Sequence, residues 1–568
     1  MIKINGISGF EGIVIATAFV FKKKKYSVKK DKVEDIGAEI RKFEEANFQI
    51  KKELLKIKQN IDEEESFSQI KELNFQIDIL ENNEINNQIK NVIFKNHFNA
   101  SYAVNLIFKK FSKLYLSMND QQITYFEKCL LIIEEKLICN LQNILARDLS
   151  SIYQDVILIV KDDQNIESFK LNNKFIKGYI SESGTKISKM AIFTKSFSIP
   201  SILGINNDIS KIVDGQNLIL NSFTGEIIID PTSDQKILAQ NKINNLIKDQ
   251  KDLLIFKKHE SRTKDNHQLN LSSSINDPKQ LKGLLTNEIG YIKTDFLYNN
   301  VNALPSEEQQ FVIYKKIIQK AKHRKVNFET FGIENIHEMN YLKFNKIQNP
   351  SLGKIAIRLQ LENPNLFEAQ IRALLRASQY GDISITIPMI TYLDEIKLIK
   401  KQISIIEKKL LKEEVLIGDY KLGISIEIPS VVIMLDKFVK YVDFVIIKTD
   451  NLIQYSFGID KNATEVAHLY QPFNPAFIRK LNVIITTVHL ANKKVIITGD
   501  IVDDELFLLI LIGLNFINIC MNPTSFLKIK KAVINTNKKE AYKLVKKILK
   551  MESEEEVISL LKNHSNNY

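Results

Sequence analysis

Eight polar residues in the second half of the chain stand where chemistry could be done: Lys293, Asp295, Glu329, Arg358, Glu427, Asp450, Asn451 and Asp500. Each closes, or directly follows, a short run rich in β-branched residues. Cationic side chains suit an anionic group, and carboxylate oxygens suit a hard metal ion. Singly, each is a solvated strand end. At the C-terminal ends of parallel strands they would share one mouth. A second stretch, Ser183 to Gly204, reads S-G-T-K-I-S-K-M-A-I-F-T-K-S-F-S-I-P-S-I-L-G. It contains no histidine, and none lies between His97 and His259.

The elements that must position these residues are legible as changes of texture. The runs G-Y-I-K-T-D-F, K-V-N-F-E-T-F-G, K-I-A-I-R-L, I-S-I-T-I-P-M-I, L-G-I-S-I-E-I-P, F-V-I-I-K-T-D, K-V-I-I-T-G-D and F-I-N-I-C-M-N-P alternate with helical segments. Eight strands with helices between them predict a (β/α)8 barrel. Residues 1–25 read as strands, in I-K-I-N-G-I and G-I-V-I-A-T-A-F-V-F. From Val33 to Asn143 glycine and proline all but vanish, and apolar residues recur every three or four positions, which predicts about four long helices. Strands return after Ser151, with tight turns at D-G and T-G-E. A helical domain is therefore expected inside a small α/β domain. A polar helical run, Ser233–Lys258, links it to the barrel.

Composition narrows the class. The 568 residues are 44% hydrophobic and 26% charged, ordinary for a soluble globular protein of several domains. The net charge is +12, but the lysines are spread along the chain, only 8 of 79 basic residues are arginine, and tryptophan is absent. Nucleic-acid binding needs a focused patch, so the excess is read as compositional bias. Cys129, Cys139 and Cys520 are too few and scattered for a disulfide framework or a zinc site, in keeping with a reducing cytoplasm. The apolar run Ile13–Phe21 precedes its lysines, the reverse of a secretory signal, and is too short to span a bilayer. No membrane insertion is expected.

The motifs A-L-P-S-E-E-Q-Q-F (303–311), I-R-A-L-L-R-A-S-Q-Y-G (371–381), I-E-I-P (426–429) and H-L-Y-Q-P (468–472) resemble enzyme I of the phosphoenolpyruvate:sugar phosphotransferase system. The resemblance runs the length of the chain. It implies a swivelling phosphohistidine-type α/β domain (1–32 and 144–231), an inserted helical domain that docks the carrier protein HPr (33–143), a linker helix (232–258) and a phosphoenolpyruvate-binding TIM barrel (259–568). It further implies Mg²⁺ as cofactor and a homodimer formed through the barrel. In such proteins a histidine takes the phosphoryl group from phosphoenolpyruvate and hands it to HPr. Imidazole suits that role because it is nucleophilic at neutral pH and leaves readily.

The resemblance also locates departures. The phosphohistidine falls on Lys189, an ammonium at neutral pH and a far more basic leaving group. The preceding pair is Ile187-Ser188, and one glycine is Thr185. Of the substrate-binding arginines, one is Lys293, the next is Glu329, a third is Ile355, Arg358 survives, and a fifth is Lys461. Glu329 is expected to repel phosphate. The metal carboxylates fall on Glu427 and Asn451, while Asp450 falls among the substrate-binding positions and would substitute at the metal if the loop slid by one residue. The acid cysteine falls on Thr498, in T-G-D. Two readings follow: a working phosphotransferase, or a catalytically impaired homologue that keeps at most a docking role. A pyruvate phosphate dikinase or phosphoenolpyruvate synthase relative would need a nucleotide-binding domain, for which the chain has no room.

Overall fold

The computed structural model describes residues 2–21, 27–59, 67–116, 123–142, 152, 154–161, 175–184, 189–298, 304–333, 349–461 and 463–565. Its first sheet is assembled from both sides of a long helical segment. The strands are β1 (Ile2–Asn5), β2 (Ile7–Phe10), β3 (Ile13–Phe21), β4 (Val156–Val160), β5 (Ile176–Ser181), β6 (Ser201–Leu203), β7 (Asn217–Asn221) and β8 (Glu226–Ile229), in the order β1-β8-β7-β3-β4-β5-β6-β2. The apolar run Ile13–Phe21 is thus a central strand, paired with β4 and β7. The five residues of β4 are all buried, as expected of a strand covered on both faces.

Between β3 and β4 come α1 (Ile36–Gln59), α2 (Phe67–Glu81), α3 (Asn83–Asn96), α4 (Ala100–Leu116) and α5 (Ile123–Leu141). They share a core of their own around Phe43, Ile89, Val104 and Ile133. There are five helices where the periodicity suggested about four. The extra break is Asn82, whose side chain accepts from the N–H groups of Glu84 and Ile85 and so starts α3 without any glycine or proline. Beyond the sheet, α6 (Lys189–Ser196) precedes β6, and α7 (Ser233–Leu253) opens with a Thr232–Gln235 capping box and runs toward the second half.

The second half is a closed barrel of parallel strands: β9 (Asn270–Ile275), β10 (Ile289–Ile292), β11 (Val326–Glu329), β12 (Ile383–Ile387), β13 (Tyr420–Ile426), β14 (Phe444–Lys448), β15 (Lys494–Thr498) and β16 (Asn518–Met521). Seven of these match the expected runs. The other expected run, K-I-A-I-R-L, is not a strand. Its alternation is strand-like, yet Ala356–Glu362 is a short helix with Ile355, Ala356, Ile357, Leu359 and Gln360 all buried, and Pro364 begins the next helix. Packing on several sides overrides the local pattern. The eighth strand is β9, N-L-S-S-S-I, whose three serines hid it. The barrel interior is filled by Tyr291, Phe444, Ile446, Ile496 and Cys520. Gly423 is required here, because a Cβ at that position would collide with the Phe444 ring.

Candidate active site at the barrel mouth

Alternation along the strands sets what reaches the mouth. On β14, Phe444 and Ile446 point into the barrel, so Lys448, two residues on, points into its C-terminal opening. Glu329 ends β11, and Glu427 directly follows β13. These three converge. Lys448 Nζ lies 3.2 Å from Glu329 Oε2 and 3.4 Å from Glu427 Oε2, with both carboxylates almost fully buried. Glu329 is therefore not the isolated repulsive anion expected from the sequence. It is one arm of a carboxylate–ammonium–carboxylate bridge whose cation, Lys448, the sequence reading passed over.

Glu427 is bound from all sides. Its Oε1 accepts from the Met389 N–H at 3.0 Å and from the Ser425 hydroxyl, and its Oε2 accepts from Asn451 Nδ2 at 2.5 Å. Burial alone would raise its pKa. The Lys448 ammonium and these donors outweigh burial and hold it below the ordinary 4.5. Asn451 lies in the helix Thr449–Phe457 that follows β14, and its Oδ1 accepts from Lys461 Nζ at 2.6 Å. Asn451, not Asp450, is thus the partner of Glu427, and the loop has not slid. Asp450 turns the other way. It accepts from Tyr470 Oη at 3.0 Å and from the Asp500 N–H at 3.1 Å. Burial and the neighbouring Asp500 carboxylate push its carboxyl above the usual aspartate value. Gly499, at φ 134°, lets the chain pass this close, since a Cβ there would strike Thr449.

The remaining expected residues are more dispersed. Lys293 is half-buried just past β10, at the mouth. Arg358 sits on a helix rather than at a strand end, and donates to the carbonyls of Leu352 and Gly353 and to Thr391 Oγ1 at 3.2 Å. Ile355 is fully buried and contributes packing only. Thr498 ends β15 in register with Cys520 on β16, and the two side chains are hydrogen-bonded. Burial pushes the Cys520 thiol up to about 12, so it stays protonated at neutral pH. A thiol thus lies in the same layer as Thr498, one strand over. The cysteine was visible in the sequence, but its layer was not.

Lys189 is the first residue of α6, and Thr185, Ile187 and Ser188 lie outside the described residues. Further along α6, Lys195 Nζ pairs with Asp500 Oδ1 at 2.7 Å and Asp503 Oδ2 at 3.3 Å. Burial opposes its charge, but the two carboxylates hold its pKa above the ordinary 10.5. The helix that Lys189 opens is therefore tied to the rim of the barrel mouth.

Comparison with known proteins decides the family. The chain is 31% identical over 566 residues to the phosphoenolpyruvate-protein phosphotransferase of Bacillus subtilis, covering 99% of each chain. It is 33% identical over 570 residues to that of Mycoplasma capricolum, covering 100% of this chain and 99% of the other. The chain belongs to the phosphoenolpyruvate-protein phosphotransferase (enzyme I) family. Domain families agree: residues 5–124 match "PEP-utilising enzyme, N-terminal", 152–225 "PEP-utilising enzyme, mobile domain" and 250–538 "PEP-utilising enzyme, PEP-binding domain". Its role resembles that of enzyme I. Among the described residues no helix is long and apolar enough to cross a membrane.

Two of the motifs that signal the enzyme I family form scaffold, and they meet each other. Arg372 Nε pairs with Glu307 Oε2 at 2.5 Å, while Arg376 pairs with Glu307 and Glu308 at 2.7 Å. The other two motifs supply the mouth, through Glu427 and Tyr470. Enzyme I proteins generally depend on Mg²⁺. The residues here do not fit such an ion. Of the two positions that would hold it, Glu427 has four donors and Asn451 Oδ1 is held by Lys461. No group of three or more His, Cys, Asp or Glu side chains among the described residues is set to ligate a metal.

Proposed function

We propose that this chain serves in the enzyme I role in the cytoplasm, taking phosphoenolpyruvate at the barrel mouth and HPr at the helical segment α1–α5, as a homodimer through the barrel. The observation that carries the reading is the convergence of strand-end residues on one mouth, with the helix opened by Lys189 tied to its rim by Lys195. Lys293, Arg358 and Lys461 would meet the phosphate and carboxylate of the substrate, and Lys448 adds a cation between the two carboxylates. Such groups neutralise charge that builds on a transferring phosphoryl group, which is most of what this chemistry asks of a protein. The protonated Cys520 thiol is hydrogen-bonded to Thr498, at the position of the family's acid.

A second reading, a docking homologue without phosphoryl transfer, is favoured by one residue. Lys189 is an ammonium at neutral pH with no lone pair to attack phosphorus. The test is one incubation of the full chain with radiolabelled phosphoenolpyruvate, with and without HPr, beside a Lys189→His variant. Label on the wild-type chain or on HPr supports the working enzyme. Label only in the variant supports an intact mouth with a lost acceptor. No label in either means that the mouth has lost turnover too, and sinks the first reading.

A further inference from the structure

The barrel mouth holds an unusual arrangement for a buried cation. Lys448 Nζ sits between two carboxylates at 3.2 and 3.4 Å, its side chain is 10% exposed, and the Tyr291 ring lies 5.9 Å away on the barrel side. Two carboxylates this deep cannot both stay ionised without a cation between them. A second lysine, Lys461, holds the amide oxygen of Asn451, the remaining oxygen a metal could have used.

We propose that the Lys448 ammonium takes the place of the divalent metal ion of this site, bridging Glu329 and Glu427, offsetting one of their two negative charges and barring a metal from them. The assignment rests on the placement of Lys448, not on phosphoryl transfer taking place. It has a chemical consequence. A substrate anion entering the mouth would meet a fixed ammonium that donates hydrogen bonds, and not an exchangeable ion that coordinates oxygen. Lys448 would act as a positioning residue toward Glu427 and as a direct cation toward the anion.

The charge pattern makes the proposal testable without any turnover. Removing the ammonium while keeping its bulk, in Lys448→Met, leaves Glu329 and Glu427 facing each other, which is a site for a hard divalent ion. Mn²⁺ is the probe, titrated against the full-length chain and followed by electron paramagnetic resonance. The wild type is expected to bind no Mn²⁺ that Glu427→Gln abolishes. Lys448→Met is expected to bind one Mn²⁺ per chain, roughly 100-fold more tightly than the wild type or better, because a unit like charge about 3–4 Å away has gone. Wild-type binding of one Mn²⁺ that Glu427→Gln removes would overturn the proposal. A folded Lys448→Met protein with no gain would overturn it as well. If that variant fails to fold, the wild-type and Glu427→Gln titrations decide alone. Failure of the labelled phosphoenolpyruvate incubation leaves this test unaffected.

Discussion

Helix α6 and the mouth of the barrel hold their charged side chains in different ways. At α6 one lysine, Lys195, is engaged with Asp500 and Asp503. At the barrel mouth the contacts interlock: Lys448 sits between Glu329 and Glu427, and Lys461 donates to the amide oxygen of Asn451, which itself donates to Glu427. The difference follows from burial. The Lys195–Asp500 pair is partly solvated and its loss costs less, whereas an unmatched carboxylate inside a barrel is expensive and must be offset. A barrel mouth can thus hold two buried carboxylates by balancing them about one shared cation.

The largest effect should come from breaking that balance. Lys448→Met leaves two buried carboxylates uncompensated and is expected to destabilise the barrel by about 3–5 kcal/mol, on the order of 10 °C in thermal unfolding. Adding Glu329→Gln should restore more than half of the loss, since Glu427 keeps its donors from Ser425, Asn451 and Met389. A double variant no better than the single would show that the bridge is not the source. A smaller effect is expected at the rim. Lys195→Ala should leave barrel unfolding unchanged but weaken the attachment of α6 by roughly 1–2 kcal/mol, a value discounted because Asp500 is partly exposed. Limited proteolysis of the chain around Ser183–Gly204 should speed up accordingly. Because the Lys195 pKa is raised, its contribution is complete below pH 10.5 and lost only above it. The cleavage rate of the wild type should therefore be flat across neutral pH, and a slope between pH 6 and 9 would point to another group.

How much of this was legible depended on whether the signal was local. β10 and β12 to β16 announced themselves as β-branched runs, and the charged residues at their ends marked the mouth. β9 did not, because N-L-S-S-S-I lacks the branched residues that mark a strand, and K-I-A-I-R-L carried a strand's alternation into a helix. The bridge at the mouth was invisible for a different reason. Lys448 reads as the last residue of F-V-I-I-K, and its partner Glu329 is 119 positions away. Only closure of the barrel puts β11 and β14 on one opening. The same holds for Thr498 and Cys520, which share a layer by register and not by proximity in sequence. Single residues could be read one by one; the contacts between them could not.

The smallest effect sharpens the comparison within the mouth itself, between two carboxylates shifted in opposite directions. Glu427 is held below its ordinary 4.5 by donors and by Lys448, so its ionised form stabilises the fold above that pH and the contribution fades as the pH falls through the lowered value. Asp450 is raised above 3.8 by burial and Asp500, so its charge burdens the fold at neutral pH and protonation relieves it. Glu427→Gln should therefore be less stable than the wild type at pH 7, with the gap closing below pH 4.5. Asp450→Asn should be more stable at pH 7, by about 1–2 °C, because an amide oxygen can still accept from Tyr470 and from the Asp500 N–H. That advantage should shrink as the wild-type aspartate takes up its proton on acidification. Thermal unfolding of both variants from pH 7 down to about pH 3 would show two curves approaching the wild type from opposite sides. If Asp450→Asn instead loses stability equally at every pH, Asp450 is a structural hydrogen-bond acceptor whose charge is already compensated.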